Sequence, residues 1–191
     1  SDGTQIISAK CEMDNDELIR IVIWRIDSAG RPKDAFVKLF KKNRNIGNGL
    51  FYFYDDQAKS VIYNEDLGYF QQSINLEKPV DIFGAHPISG DAMKPALYDF
   101  SSSKIQTFDG FTTSSLPNGE SGPILKKRKY KFEFLRNEKV KVPAGVFDCK
   151  YFLWHFDEYP PIHIWNYSKY NVPIRIEWSL LNSRYDLISL N

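Results

Sequence analysis

At 191 residues the chain is long enough to bury a sizeable core within one domain. Its 42% hydrophobic content, with 14 Phe, 11 Tyr and 4 Trp, excludes a disordered chain and leaves aromatics beyond a minimal core to line a pocket. A formal net charge of +1 gives no electrostatic reason to expect nucleic acid, and no apolar run approaches the length of a membrane span.

Residues Glu17 to Asp27 open the strand pattern. They are apolar on both faces, with Ile19, Ile21 and Ile23 on one and Val22, Trp24 and Ile26 on the other, which predicts a central strand covered on both sides. Ser28 to Pro32 reads as a turn, Asp34 to Lys42 as a strand, and Asn43 to Gly49 as a second turn. Short strands follow at Leu50 to Tyr54, Ser60 to Asn64 and Tyr69 to Leu76. Regular short strands with turn signals between them predict a mainly β chain of antiparallel strands, folded as a sandwich, barrel or curved half-barrel and not as βαβ units.

From Glu77 to Leu125 the pattern stops, and proline and glycine recur. Apolar anchors from Ile82 to Phe111 mark this segment as a lid-like insert packed on the sheet, with a short helix near Ala96 and a strand over Ile105 to Thr113. Strands resume at Tyr130 to Leu135 and Glu138 to Val142. After Pro143-Ala144-Gly145 comes a long strand, Phe147 to Phe156. No boundary divides the chain, so residues 1–191 are read as one β domain with its insert at about 77–125.

Chemistry-bearing residues gather at three places. In the first, a hairpin turn centred on Tyr159 sets His155 opposite His163, Leu153 opposite Trp165 and Tyr151 opposite Tyr167. One face then carries Tyr151, His155, His163, Trp165 and Tyr167, and the other is a plain core face. Apolar surface with a few oriented polar groups is the composition of a pocket wall. Two histidines with Asp157 and Glu158 also make a workable metal set, but the carboxylates sit at the hairpin tip, where solvated turn residues are the simpler reading.

The second place is Phe83 to Asp91, where His86 and Asp91 lie close enough in the chain to pair as a general base and its orienting carboxylate. An Asp capping a short helix after Gly90 fits the same residues. The third is Ser114 to Pro123, a turn-rich loop whose Asn118 can hydrogen-bond a ligand but which lacks the ending of a phosphate loop. Lys126-Lys127-Arg128-Lys129 reads as a solvated strand start, and Arg175 with Glu177 as an exposed pair. Cys11 and Cys149 lack any zinc spacing and read as reduced thiols in strands, a disulfide being the alternative.

The segments Val140 to Cys149, Ile164-Trp165, Val172 to Trp178 and Tyr185 to Leu190 resemble a group of bacterial β proteins similar to the LolA-like lipoprotein-carrier class. The match covers about the last quarter of the chain. It implies a single curved antiparallel sheet, an open half-barrel meander wrapped around an apolar cavity, and transfers no catalytic residues.

Two functional expectations follow. One is binding of an apolar, aromatic or lipid-like small molecule in a half-barrel cavity, with Tyr98, Asn118, Tyr151, His163, Trp165 and Tyr167 as contacts. The other is cofactor-independent acid/base chemistry of a lyase or isomerase kind, with His86, Asp91 and His155 as proton carriers. An interaction module using sheet edges is a third. No metal, cofactor, nucleic acid or membrane insertion is expected. A small residue at Ser1 with no signal peptide fits a cytoplasmic protein.

Overall fold

The computed structural model describes residues 3–13, 17–86, 88–116, 119–167 and 171–190. The fold is mainly β and antiparallel, including a curled open half-barrel sheet, as expected. The strands are divided between sheets of six and seven rather than forming one. The chain forms two compact units, Ser1–Pro87 with Asp109–Arg128 and Ile88–Phe108 with Lys129–Asn191. Among the described residues no helix is long and apolar enough to cross a membrane.

The first unit holds a six-stranded meander of consecutive hairpins: β1 (Gln5–Met13), β2 (Leu18–Ile26), β3 (Pro32–Lys41), β4 (Arg44–Phe53), β5 (Gln57–Asn64) and β6 (Gly68–Asn75). Period-two alternation puts Leu18, Val22, Trp24, Val37, Leu39, Phe51, Phe53 and Ile62 on one buried face. The opposite face is open: Ile23 is 43% exposed, Leu50 43% and Val61 47%. Strand β2 is therefore covered on one side and not two, because this sheet buries only one of its faces. Lys42 and Asn43 make the β3–β4 turn with φ of 51° and 60°, the left-handed pair that a tight two-residue hairpin requires. The expected Asn43–Gly49 turn is consequently mostly strand.

The buried face carries residues 119–125, which are contacted by every strand from β2 to β6. Arg20 on β2, itself buried, donates to the carbonyl of Gly119. Lys41 on β3 pairs with Glu120 at 2.9 Å. Gly47 on β4 lies against Pro123. Asn64 on β5 donates to Ser121 O at 3.4 Å, and Gln72 on β6 makes paired amide bonds to Leu125 N and O at 2.8 and 3.1 Å. Side chains thus satisfy the backbone of a segment with few ladder bonds of its own. Strand β7 (Ile82–Gly84) pairs in parallel with Gly110–Thr112 of β8 (Ile105–Thr112), and Phe83 packs 5.2 Å from Phe51 and 5.0 Å from Phe53.

The second unit is the meander β9 (Lys126–Val142), β10 (Gly145–His155), β11 (Ile162–Tyr167), β12 (Val172–Trp178) and β13 (Ser183–Asp186), each pairing with the next, with β9 entering from the first unit. The two strands expected between Tyr130 and Val142 are one continuous strand. Register shifts at Tyr151/Phe152 and Trp165/Asn166 mark bulges, which bend strands and so favour curling. One turn of helix, α1 (Ile88–Met93), runs into a 3₁₀ turn at Lys94–Leu97.

Gly119 and Gly68 separate steric from backbone cost. Both have left-handed φ, 77° and 74°, but an added Cβ at Gly119 overlaps the Arg20 guanidinium whereas Gly68 has open space. Each Ala substitution should cost about 1–2 kcal/mol of backbone strain. Gly119→Ala should cost about 1–3 kcal/mol more than Gly68→Ala in urea unfolding, through the clash with Arg20.

Candidate functional site

The β10–β11 ladder pairs Cys149 with Tyr167, Tyr151 with Trp165 and Leu153 with His163. The turn is thus centred one residue earlier than Tyr159, and the pairing slides by two. Sliding by two conserves the face, so Tyr151, His155, His163, Trp165 and Tyr167 still share one side. The histidines do not face each other. Pro160 and Pro161, which have no N–H to donate, widen the turn, and the ladder begins at Trp154–Ile162.

On that side one row runs across all five strands: Arg136, Tyr151, Trp165, Arg175 and Asp186 are successive cross-strand partners. The Tyr151 and Trp165 rings stack at 4.5 Å and 3°. Arg136 sits 4.9 Å from the Tyr151 ring and Arg175 5.9 Å from the Trp165 ring, so a guanidinium covers each end of the stack. Glu138 accepts from the Trp165 indole and from Arg136, and Asp186 accepts from Arg175 at 2.6 Å. Burial opposes ionisation of Glu138 and Asp186, yet these donors hold both carboxyls below their ordinary values. Arg175 is accordingly not the exposed partner of Glu177 that the sequence suggests. Its side chain is only 18% exposed and its nearer carboxylate is Asp186.

Next to the stack, the Tyr151 hydroxyl is hydrogen-bonded to Nδ1 of His163. Burial pushes the His163 pKa down, opposed by Glu177, and pushes the Tyr151 phenol up. Both groups are therefore neutral at neutral pH. His163 and its ladder partner Leu153 are half-buried, whereas Tyr151 and Trp165 are buried in a small core with Val140, Val142, Cys149 and Ile174. Burial also holds the Cys149 thiol protonated by raising it to about 11. Tyr167 lies at the far end of this face, 5.5 Å from Phe147.

His155 stands on the same face, its Nε2 2.9 Å from Glu133, and Glu133 is held in turn by Lys104 at 2.8 Å. That ammonium hydrogen bond, joined by His155 against the opposing effect of burial, keeps Glu133 ionised below its ordinary range. Among the described residues no three His, Cys, Asp or Glu side chains form a metal-holding group.

The other expected residues lie elsewhere. Tyr98 packs 5.4 Å from Phe152, on the opposite face of the hairpin, and its hydroxyl donates to Lys104 O at 2.5 Å. Asp91 is paired with Lys94, a buried lysine whose Nζ lies 3.8 Å from the Trp154 ring. His86 belongs to the first unit and hydrogen-bonds Thr112 Oγ1 at 3.1 Å. Asn118 lies outside the described residues. Sequence reasoning missed Glu133, Arg136, Glu138 and Lys94. The first three are spaced three and then two on β9, because the register shift at Tyr151/Phe152 puts one extra residue into β9, and no strict alternation marks them among its other charges. The two cysteines are thiols and are not joined in a disulfide.

No protein-family model, no curated protein and no solved structure matches this chain.

A lowered His163 pKa stabilises the fold in one direction only. The neutral imidazole's contribution is fully present above the ordinary value of 6.5 and is lost as pH falls through it towards the folded value. The stabilisation from Glu133, Glu138 and Asp186 is present above their ordinary values of 4.5, 4.5 and 3.8 and is lost only as pH falls below them. His163→Gln should therefore flatten the loss of stability on acidification from pH 7 to pH 5, measured by urea midpoints across that range.

Proposed function

We propose that the second unit binds an uncharged aromatic or lipid-like small molecule against Leu153, Tyr151 and His163. The observation that carries this reading is the neutral Tyr151–His163 pair beside an aromatic stack. With Tyr151 donating to Nδ1, His163 keeps its proton on Nε2 and offers it to a ligand acceptor. Leu153 and the ring edges supply adjoining apolar surface, and opposite charges at Arg136 and Glu138 leave no excess to favour an ionic ligand. The resemblance of the last quarter of the chain to LolA-like carriers, whose fold surrounds an apolar cavity, points the same way.

The pair at His155 and Glu133 favours a second reading. An imidazole oriented by a carboxylate at 2.9 Å is the arrangement of a general base. It suits proton transfer on a carbonyl compound without a cofactor. In that case a panel of ketones should exchange α-protons with deuterated solvent in the presence of the protein, and both His155→Gln and Glu133→Gln should abolish the exchange.

For the binding reading, 1-naphthol and longer aromatic alcohols should quench tryptophan fluorescence saturably. His163→Ala should weaken the affinity about tenfold, equivalent to about 1.4 kcal/mol. His86→Ala, in the first unit, should leave it unchanged. Absence of saturable binding, or equal affinity in His163→Ala, contradicts the proposal.

A further inference from the structure

Strand β6 ends the six-stranded sheet and, among the described residues, pairs only with β5. Its sequence, Gly-Tyr-Phe-Gln-Gln-Ser-Ile-Asn, contains no charge and no proline. Natural edge strands are normally guarded by one of these or by shortness. The other edges here obey that rule. Strand β1 carries Lys10 and Glu12, β7 has three residues, and β13 has four, including Arg184 and Asp186. A β6 edge left unguarded over eight residues is therefore the exception that calls for a partner.

The direction of its backbone groups follows from the ladder. Leu76 N–H donates to Asp56 O, one step beyond the Gln57–Asn75 pair, so even-numbered residues bond towards β5. By antiparallel alternation the N–H and C=O groups of Tyr69, Gln71 and Ser73 point outward. Their side chains lie on the sheet's open face, where Gln71 continues the cross-strand row Ile23, Phe36, Leu50 and Val61. Tyr69 is 84% exposed.

We infer that β6 is a homodimerisation edge, pairing antiparallel with β6 of a second copy about a two-fold axis at Gln71. A two-fold normal to the sheet keeps the open faces on one side, and it then requires a residue to face itself. Gln71 is the outward-bonding residue nearest the strand's centre. Its amide is its own complement, because each copy supplies one donor and one acceptor. Tyr69 falls opposite Ser73 of the second copy, and the three outward residues of each strand give about six main-chain hydrogen bonds. No like charges meet along the seam. The apolar row of each copy then runs on through the Gln71 pair into that of the other. A foreign extended peptide would satisfy the same backbone groups, but the self-complementary, uncharged seam favours a second copy.

The test is the mass of the full chain by light scattering, from low to high micromolar concentration. The mass should rise from 22.2 kDa towards twice that value. Ser73→Pro removes an outward donor without touching the β5 ladder, and Gln71→Lys sets two ammonium groups on the axis. Each should hold the mass at the monomer value while the circular dichroism spectrum is unchanged. In a Cys11→Ser background, Gln71→Cys should oxidise to a covalent dimer, since hydrogen-bonded partners lie about 5.5 Å apart between Cα atoms. Gln72→Cys should not. A chain that stays monomeric throughout, a dimer that survives both substitutions, or cross-linking at residue 72 in place of 71 overturns the inference. So does a wild-type monomer that pairs only with a foreign peptide.

Discussion

The arrangement of the second unit depends on the contact between Tyr151 and Trp165. Two large rings stacked at 4.5 Å require their strands to be in one register, and that register decides which residue of every neighbouring strand joins the row. Arg136, Arg175 and Asp186 are placed by it, and so is the neighbouring row in which Leu153, His163 and Glu177 are partners. An offset stack of this kind contributes about 0.5–1.5 kcal/mol beyond burial of its area. Its larger effect is on specificity, because a slip of one residue between the two strands would turn one of the rings onto the Phe152 face, which is already filled by Tyr98, Phe134 and Trp154.

The same contact explains the chemistry at the site. Packing the stack among Val140, Val142 and Ile174 removes water from the Tyr151 hydroxyl and the adjoining imidazole, and desolvation drives both towards their neutral forms. Guanidinium and carboxylate groups at either end are paired with each other, so the face has hydrogen-bonding capacity without net charge. The first unit is built on a different device. There a buried arginine, two glycines and two amide side chains fasten an irregular segment across the covered face of the sheet. The opposite face stays open.

Strand periodicity made most of the fold legible. Alternation and turn residues located β3, β5, β6 and β8 to within a few residues, and the conserved parity of the hairpin made its polar-aromatic face readable despite the wrong turn centre. Three things were hidden. Gly47 looks like a turn residue but sits in mid-strand to admit Pro123, a long-range constraint with no local signature. Two sheets instead of one could not be read, because each hairpin has the same local pattern whichever sheet it joins. The partners of Asp91 and His155 were also illegible, since Lys94 and Glu133 become neighbours only once the helix turn and β9 are in place. Single residues were misread for a related reason. Tyr98 has the composition of a ligand contact, but its hydroxyl is consumed by the backbone at Lys104.

We propose that a small molecule is held against Leu153, Tyr151 and His163, beside the Trp165 ring. The most direct measurement is a nitrogen-15 NMR titration with 1-naphthol that follows the three imidazoles and four indoles. The His163 and Trp165 ring resonances should move together and saturate at one ligand concentration, while those of His86, Trp24 and Trp178 stay fixed. Saturating shifts at the latter groups, or none at His163 and Trp165, would contradict it.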